Sequence, residues 1–170
     1  MNCYLCHSSS TFLQSGKVRG SAELKIYACN ECKLVFLSSR NHVTKEFYEN
    51  SKMTISSGIH GESPLDIDEL IKYTKKDDLR RFHYLKNKVK EKKLLDFGCG
   101  AGGFLKFIKN ISAIAHGIEL ENRLYPIFDK YKLCVYKSLL DIPKDLQNKG
   151  YDFITLFHVL EHIADPIKLL

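Results

Sequence analysis

From Lys93 onward the chain repeats one unit, a short apolar strand followed by a turn and a helix-prone run. Leu94-Leu95-Asp96-Phe97 reads as a buried strand, followed by a glycine loop and a helix from about Gly102 to Asn110. Ala113 to Glu119 reads as a second strand, with a helix near Asn122 to Tyr131. Leu133 to Tyr136 is a third strand, leading to a turn at Asp141-Ile142-Pro143. Tyr151 to Phe157 is a fourth strand, and helix-prone residues follow to the end. Strands alternating with helices pair in parallel through right-handed crossovers. The predicted class is therefore α/β, a partial doubly wound, Rossmann-like parallel sheet.

Ligands of such sheets bind beyond the carboxyl ends of the strands, where the strand order reverses. The residues expected at those ends are Asp96 with its glycine loop, Glu119, Asp141, and the run His158 to His162. Within LLDFGCGAGGF, Gly98, Gly100 and Gly103 satisfy the G-x-G-x-x-G of nicotinamide-binding folds, yet the strand ends in a carboxylate before the loop. Three carboxylates and no basic residue are expected on this edge. Such a rim suits a cationic or hydroxyl-rich ligand and opposes an unshielded pyrophosphate. Glu119 follows Asp96 by 23 residues, placed to accept hydrogen bonds from both hydroxyls of a ribose. Asp141 could accept from an adenine amino group.

Four of the six cysteines form two C-x-x-C pairs, Cys3/Cys6 and Cys29/Cys32. Two such pairs fit a tetrahedral four-thiolate zinc site. CYLCH is also the haem-attachment pattern, and a single C-x-x-C can be a redox pair. Haem attachment would need export, however, and redox chemistry would not need the second pair. Four thiolates fill the metal's shell, so the zinc is expected to be structural, supplying folding energy to some forty residues. Strands at Leu24 to Ala28 and Lys33 to Leu37 would complete a small ribbon over 1–39, with His7 a surface residue. Cys99 reads as a small loop residue and Cys134 as buried strand packing.

Between these regions lies a connector over 40–92. Its first part, 40–64, is polar and reads as a mobile segment. A helix then opens at Asp66 or Asp68 and carries an apolar stripe of Ile67, Leu70, Ile71, Leu79, Phe82, Leu85 and Val89. Residues 72–93 hold ten Lys or Arg against three acidic residues, so this short stretch outweighs the chain's whole net charge of +6. A basic stripe draws nucleic acid or anionic substrates, or is simply a solvated helix face. Arg80 or Arg81 could reach a carboxylate. No apolar run approaches a membrane span, and the N-terminus lacks the form of a signal peptide, so a cytoplasmic location is expected.

Taken together, LLDFGCGAGGF, HGIEL, LLDIP and YDFITLFHVLEHIADP resemble class I S-adenosylmethionine-dependent methyltransferases, particularly the ubiquinone-biosynthesis-like branch. The resemblance covers 93–170. It implies that Asp96, Gly98 and Gly100 hold the methionine part of the cofactor and Glu119 the ribose. Asp141 and Ile142 would contact adenine, with Phe157 and His158 as the floor beside the sulfonium. Glu161 and His162 are the candidate proton-handling residues. A ribbon in front of such a domain is similar to those of sugar and surface-polysaccharide methyltransferases, which implies a small-molecule or sugar acceptor. RNA is the alternative acceptor, and a non-catalytic interaction module is the alternative role. The family sheet has seven strands and about four are expected here, so 93–170 reads as the N-terminal part of a domain that further sequence, a partner chain or a homo-oligomer completes.

Overall fold

The structure is a computed structural model describing residues 1–15, 23–39, 67–163 and 165–169, apart from the side chains of residues 67 and 68. The segment expected over 40–64 and the candidate cap Asp66 lie outside these residues. The chain divides into two units, Met1–Thr44 with Ile163–Leu170, and Lys45–His162.

In the first unit, β1 (Ser10–Ser15), β2 (Lys25–Cys29) and β3 (Val35–Leu37) form an antiparallel sheet in that order. Two of these strands were expected; β1 is additional. Its register shifts between Phe12 and Gln14, so no clean two-residue alternation runs through STFLQS to announce it. Phe12, Tyr27 and Phe36 are cross-strand partners. They form an aromatic row, and Tyr4 meets Phe36 edge-on at 5.6 Å. Cys3, Cys29 and Phe36 form the buried cluster here, and Leu24 is buried as well. The short helix α5 (Pro166–Leu169) also falls in this unit.

In the second unit, β4 (Lys93–Phe97), β5 (Ile114–Ile118), β6 (Cys134–Tyr136) and β7 (Phe153–Thr155) form a parallel sheet of order β6-β5-β4-β7. The order reverses at β4, which places a switch point at the end of that strand. Leu94, Leu95 and Asp96 of β4 are all buried, as a central strand covered on both faces requires.

One face carries α1 (Ile67–Leu85) and α2 (Gly103–Ile108), packed around Leu85, Val89, Leu94, Phe104, Leu105 and Ile108. The apolar stripe of α1 was expected to run to Val89, but the helix ends at Leu85 and Val89 is buried from the turn that follows. Next along the chain, α3 (Tyr125–Tyr131) follows a 3-10 turn, Asn122–Leu124. The opposite cluster, Leu95, Ile118, Ile142 and Leu146, is closed by α4 (Lys144–Lys149). This helix was not expected, because six mostly polar residues carry only one buried side chain, Leu146. Cys134 proves exposed rather than buried, its Sγ lying 3.2 Å from the Tyr136 hydroxyl. The strand is short and at the sheet edge, so little covers it.

Candidate functional site

At the end of β4, Asp96 is 2% exposed. The Thr155 hydroxyl of the neighbouring strand donates to its Oδ1 at 2.7 Å. Burial pushes its pKa up to about 7, against the lowering effect of that hydrogen bond. The loop then turns through Gly98 at φ +73° and Gly100 at φ +54°, a region that glycine enters without steric cost. A Cβ on Gly98 would lie 2.3 Å from a Val159 methyl, whereas one on Gly100 would meet nothing within 4 Å. Gly98 is thus required by packing, while Gly100 borders open space.

Glu119, after β5, reaches this loop. Its Oε2 accepts from the Gly100 N–H at 2.9 Å, and its Oε1 accepts from the N–H groups of Leu120 and Glu121 at 2.7 and 2.9 Å. Three backbone donors leave about one of a carboxylate's four lone-pair positions, enough to accept from one ribose hydroxyl rather than the two expected. Burial raises its pKa, and the three amides oppose that rise. Asp141 ends the 3-10 turn Leu139–Asp141 and accepts from the Ser138 hydroxyl at 2.9 Å. Ile142 is 3% exposed and its side chain is committed to the core beside Leu95 and Ile118.

Beyond β7, Phe157 meets Phe104 edge-on at 5.4 Å. His158 is exposed and held at φ +55°, with its Nδ1 3.8 Å from Glu161 Oε1. A non-glycine residue in this conformation costs about 1–3 kcal/mol, a strain often found at functional sites. His162 is half-buried, on the 3-10 turn Leu160–His162, and its N–H donates to the Val159 carbonyl at 2.8 Å. Glu161 thus faces His158.

The rim is not free of basic residues, as the sequence had suggested. Arg81 of α1 lies with its guanidinium 4.6 Å from the centroid of the Phe157 ring. It reaches Asp78 at 3.4 Å and Asp77 at 3.7 Å, while its Nε is buried without a partner. Sequence periodicity put Arg81 opposite the apolar stripe; its position next to Phe82 on a basic run gave only a faint signal.

A tetrahedral four-thiolate zinc site has Zn–S bonds of about 2.3 Å and so S–S separations of about 3.8 Å. The Sγ atoms of Cys3, Cys6, Cys29 and Cys32 all lie within 4.8 Å of one another. Cys3 and Cys32 are 3.7 Å apart, and Cys6 and Cys29 are 3.3 Å apart. Leu5 N–H points at Cys3 Sγ over 3.4 Å. Each C-x-x-C is followed by a residue in the left-handed region, His7 at φ +61° and Lys33 at φ +63°, giving two matching turns. Against a lowering hydrogen bond from Leu34, desolvation and the other three thiols push Cys32 up to about 12. Hydrogen bonds from Ser8 instead draw Cys6 down to about 6, so the four thiols do not ionise together without a cation among them. The residues fit a structural zinc ion, with His7 outside the set.

Comparison with known proteins gives one family match and several relatives. A family model described as "Methyltransferase domain" matches residues 68–170. The ubiquinone biosynthesis O-methyltransferase of Shewanella sp. is 30% identical over 85 residues, covering 46% of this chain and 36% of that protein. Proteins of the same name from Saccharophagus degradans and Coxiella burnetii are each 28% identical, over 88 and 99 residues; they cover 48% and 53% of this chain and 37% and 42% of themselves. The chain thus spans about two fifths or less of the length of these relatives. The ribbon lies outside the family match. With its switch-point glycine loop, the acidic residue after the second strand and a family match over more than half its length, the chain belongs to the class I S-adenosylmethionine-dependent methyltransferases.

Proposed function

We propose that the chain binds S-adenosylmethionine at the β4 and β5 ends and forms the cofactor half of an enzyme that methylates a small molecule or sugar precursor. Its zinc is structural. The observation that carries the reading is the Glu119 carboxylate bonded to the Gly100 N–H, with Asp96 at the end of the adjoining strand and open space next to Gly100. When bound, S-adenosylmethionine supplies a methyl group on a positively charged sulfur, already activated for displacement.

The chain's own residues have separable tasks in this reading. Glu119 orients a ribose hydroxyl while its amide bonds keep the loop in shape. Gly100 admits the ligand next to the backbone. Arg81, with its unpartnered Nε, offers a cation to the carboxylate of the methionine part, and Asp96 offers an anion to its ammonium. Asp141 and the Ile142 backbone border the adenine, and Phe157 and His158 form the floor. For a hydroxyl acceptor, the imidazole of His162 takes the acceptor proton, and Glu161, whose carboxylate lies 3.8 Å from the His158 ring, is the second candidate proton-handling group. Holding nucleophile and methyl in line is the larger part of such catalysis.

Thermal shift tests the cofactor assignment. S-adenosylhomocysteine should raise the melting temperature of the wild-type protein with concentration, as preferential binding to the folded state requires. It should leave Glu119→Ala unshifted. An equal shift in both proteins would remove Glu119 from the site.

A further inference from the structure

Between α1 and α2 lies a second cleft of about 420 Å³, within the range of small-molecule sites. None of the cofactor candidates lines it. Its walls carry Lys72 and Lys75 from α1 and Lys106 from α2, over an apolar floor of Ile71 and Phe107. One carboxylate, Asp78, also borders it, but Asp78 is 4% exposed and held by Arg81. No described carboxylate pairs with Lys72, Lys75 or Lys106. Instead, the Lys106 ammonium rests 3.8 Å from the centroid of the Tyr131 ring, a contact that fixes its direction without neutralising it. Three unneutralised cations around a part-apolar cleft fit a ligand with several adjacent negative charges and a less polar body.

From this arrangement we propose that the cleft is a binding site for a small molecule carrying a diphosphate. The lysines meet the diphosphate and the apolar floor receives the group attached to it. A diphosphate could arrive on a free nucleotide or on a nucleotide-linked sugar, so both serve as probes. The site is separate from the cofactor reading and could fail while that reading stands.

The test is calorimetric titration of the whole chain with inorganic pyrophosphate, UDP and UDP-glucose, repeated on a Lys75→Glu/Lys106→Glu double variant. Saturable binding of at least one probe is expected, weakened at least about tenfold in the variant, since each charge-assisted contact is worth that order. The relative affinities of UDP and UDP-glucose identify the source of the diphosphate. S-adenosylhomocysteine affinity should be unchanged, which also shows that the variant is folded. Amide resonances of Lys72, Lys75 and Lys106 in the wild-type protein should shift with the probe, independently of any variant. The proposal is overturned by the absence of saturable binding, by equal affinity in the variant, by shifts confined to other residues, or by binding of RNA oligomers alone.

Discussion

Asp96 is an acid whose folded-state pKa, near 7, stands well above its value in an unfolded chain. Between the two values the native protein holds a proton that the unfolded chain has released. Stability contributed there is present below about pH 4 and is lost as pH rises through 7, at about 1.4 kcal/mol per unit. Asp96→Asn keeps the Thr155 hydrogen bond and removes the titration. The stability difference between variant and wild type, measured by denaturant unfolding, should therefore grow in the variant's favour from pH 4 to 7. A flat difference would show that Asp96 ionises freely in the fold. The two loop glycines should separate in another way. Gly98→Ala drives a methyl into Val159 and should cost several kcal/mol, the range of severe overpacking with backbone strain. Gly100→Ala adds only the strain, about 1–2 kcal/mol, yet should remove S-adenosylhomocysteine binding because its methyl enters the open space. A Gly100→Ala protein with native affinity would put the ligand elsewhere. That these glycines and both acids stand at the strand ends was legible in the sequence, since strand, turn and carboxylate are local features. Arg81 was not: its place over Phe157 depends on how α1 lies across the sheet, which helical periodicity does not specify.

At the scale of elements, the ribbon is the part that the proposed zinc would support most. Among the described residues its buried apolar groups are two cysteines, one phenylalanine and Leu24, with partly covered aromatics around them. Apparent zinc-binding free energies of about 10–16 kcal/mol far exceed what such a core supplies. Chelation, or Cys29→Ser, should collapse the resonances of Phe12, Tyr27 and Phe36 toward unfolded positions. S-adenosylhomocysteine affinity should stay within about twofold, because all four ligands lie in the other unit. Native dispersion of those rings without metal would contradict a structural zinc. The C-x-x-C pairs announced this element, and β2 and β3 with them; β1 was hidden by its bulge. In the sheet, the strand–helix rhythm was readable because buried parallel strands are uniformly apolar. The short α4 carries a single buried leucine and had no period to read.

For the whole molecule, the strand order β6-β5-β4-β7 and the helix across it bring together residues 19 to 76 positions apart in sequence: Thr155 on Asp96, Glu119 on Gly100, Phe157 under Arg81. Order of motifs made this assembly readable in outline, because the crossover rule leaves few ways to connect parallel strands. Side-chain orientations at the rim were not readable, since they follow from loop paths of only a few residues. None of the described helices is long and apolar enough to cross a membrane. The measurement that bears most directly on the account is calorimetric titration of the chain with S-adenosylhomocysteine, with NADH as the control. Saturable binding of S-adenosylhomocysteine in the micromolar range, about −8 kcal/mol, with no heat from NADH is the predicted result. Tight NADH binding with none of S-adenosylhomocysteine would contradict it, and would return the glycine loop to the nicotinamide reading.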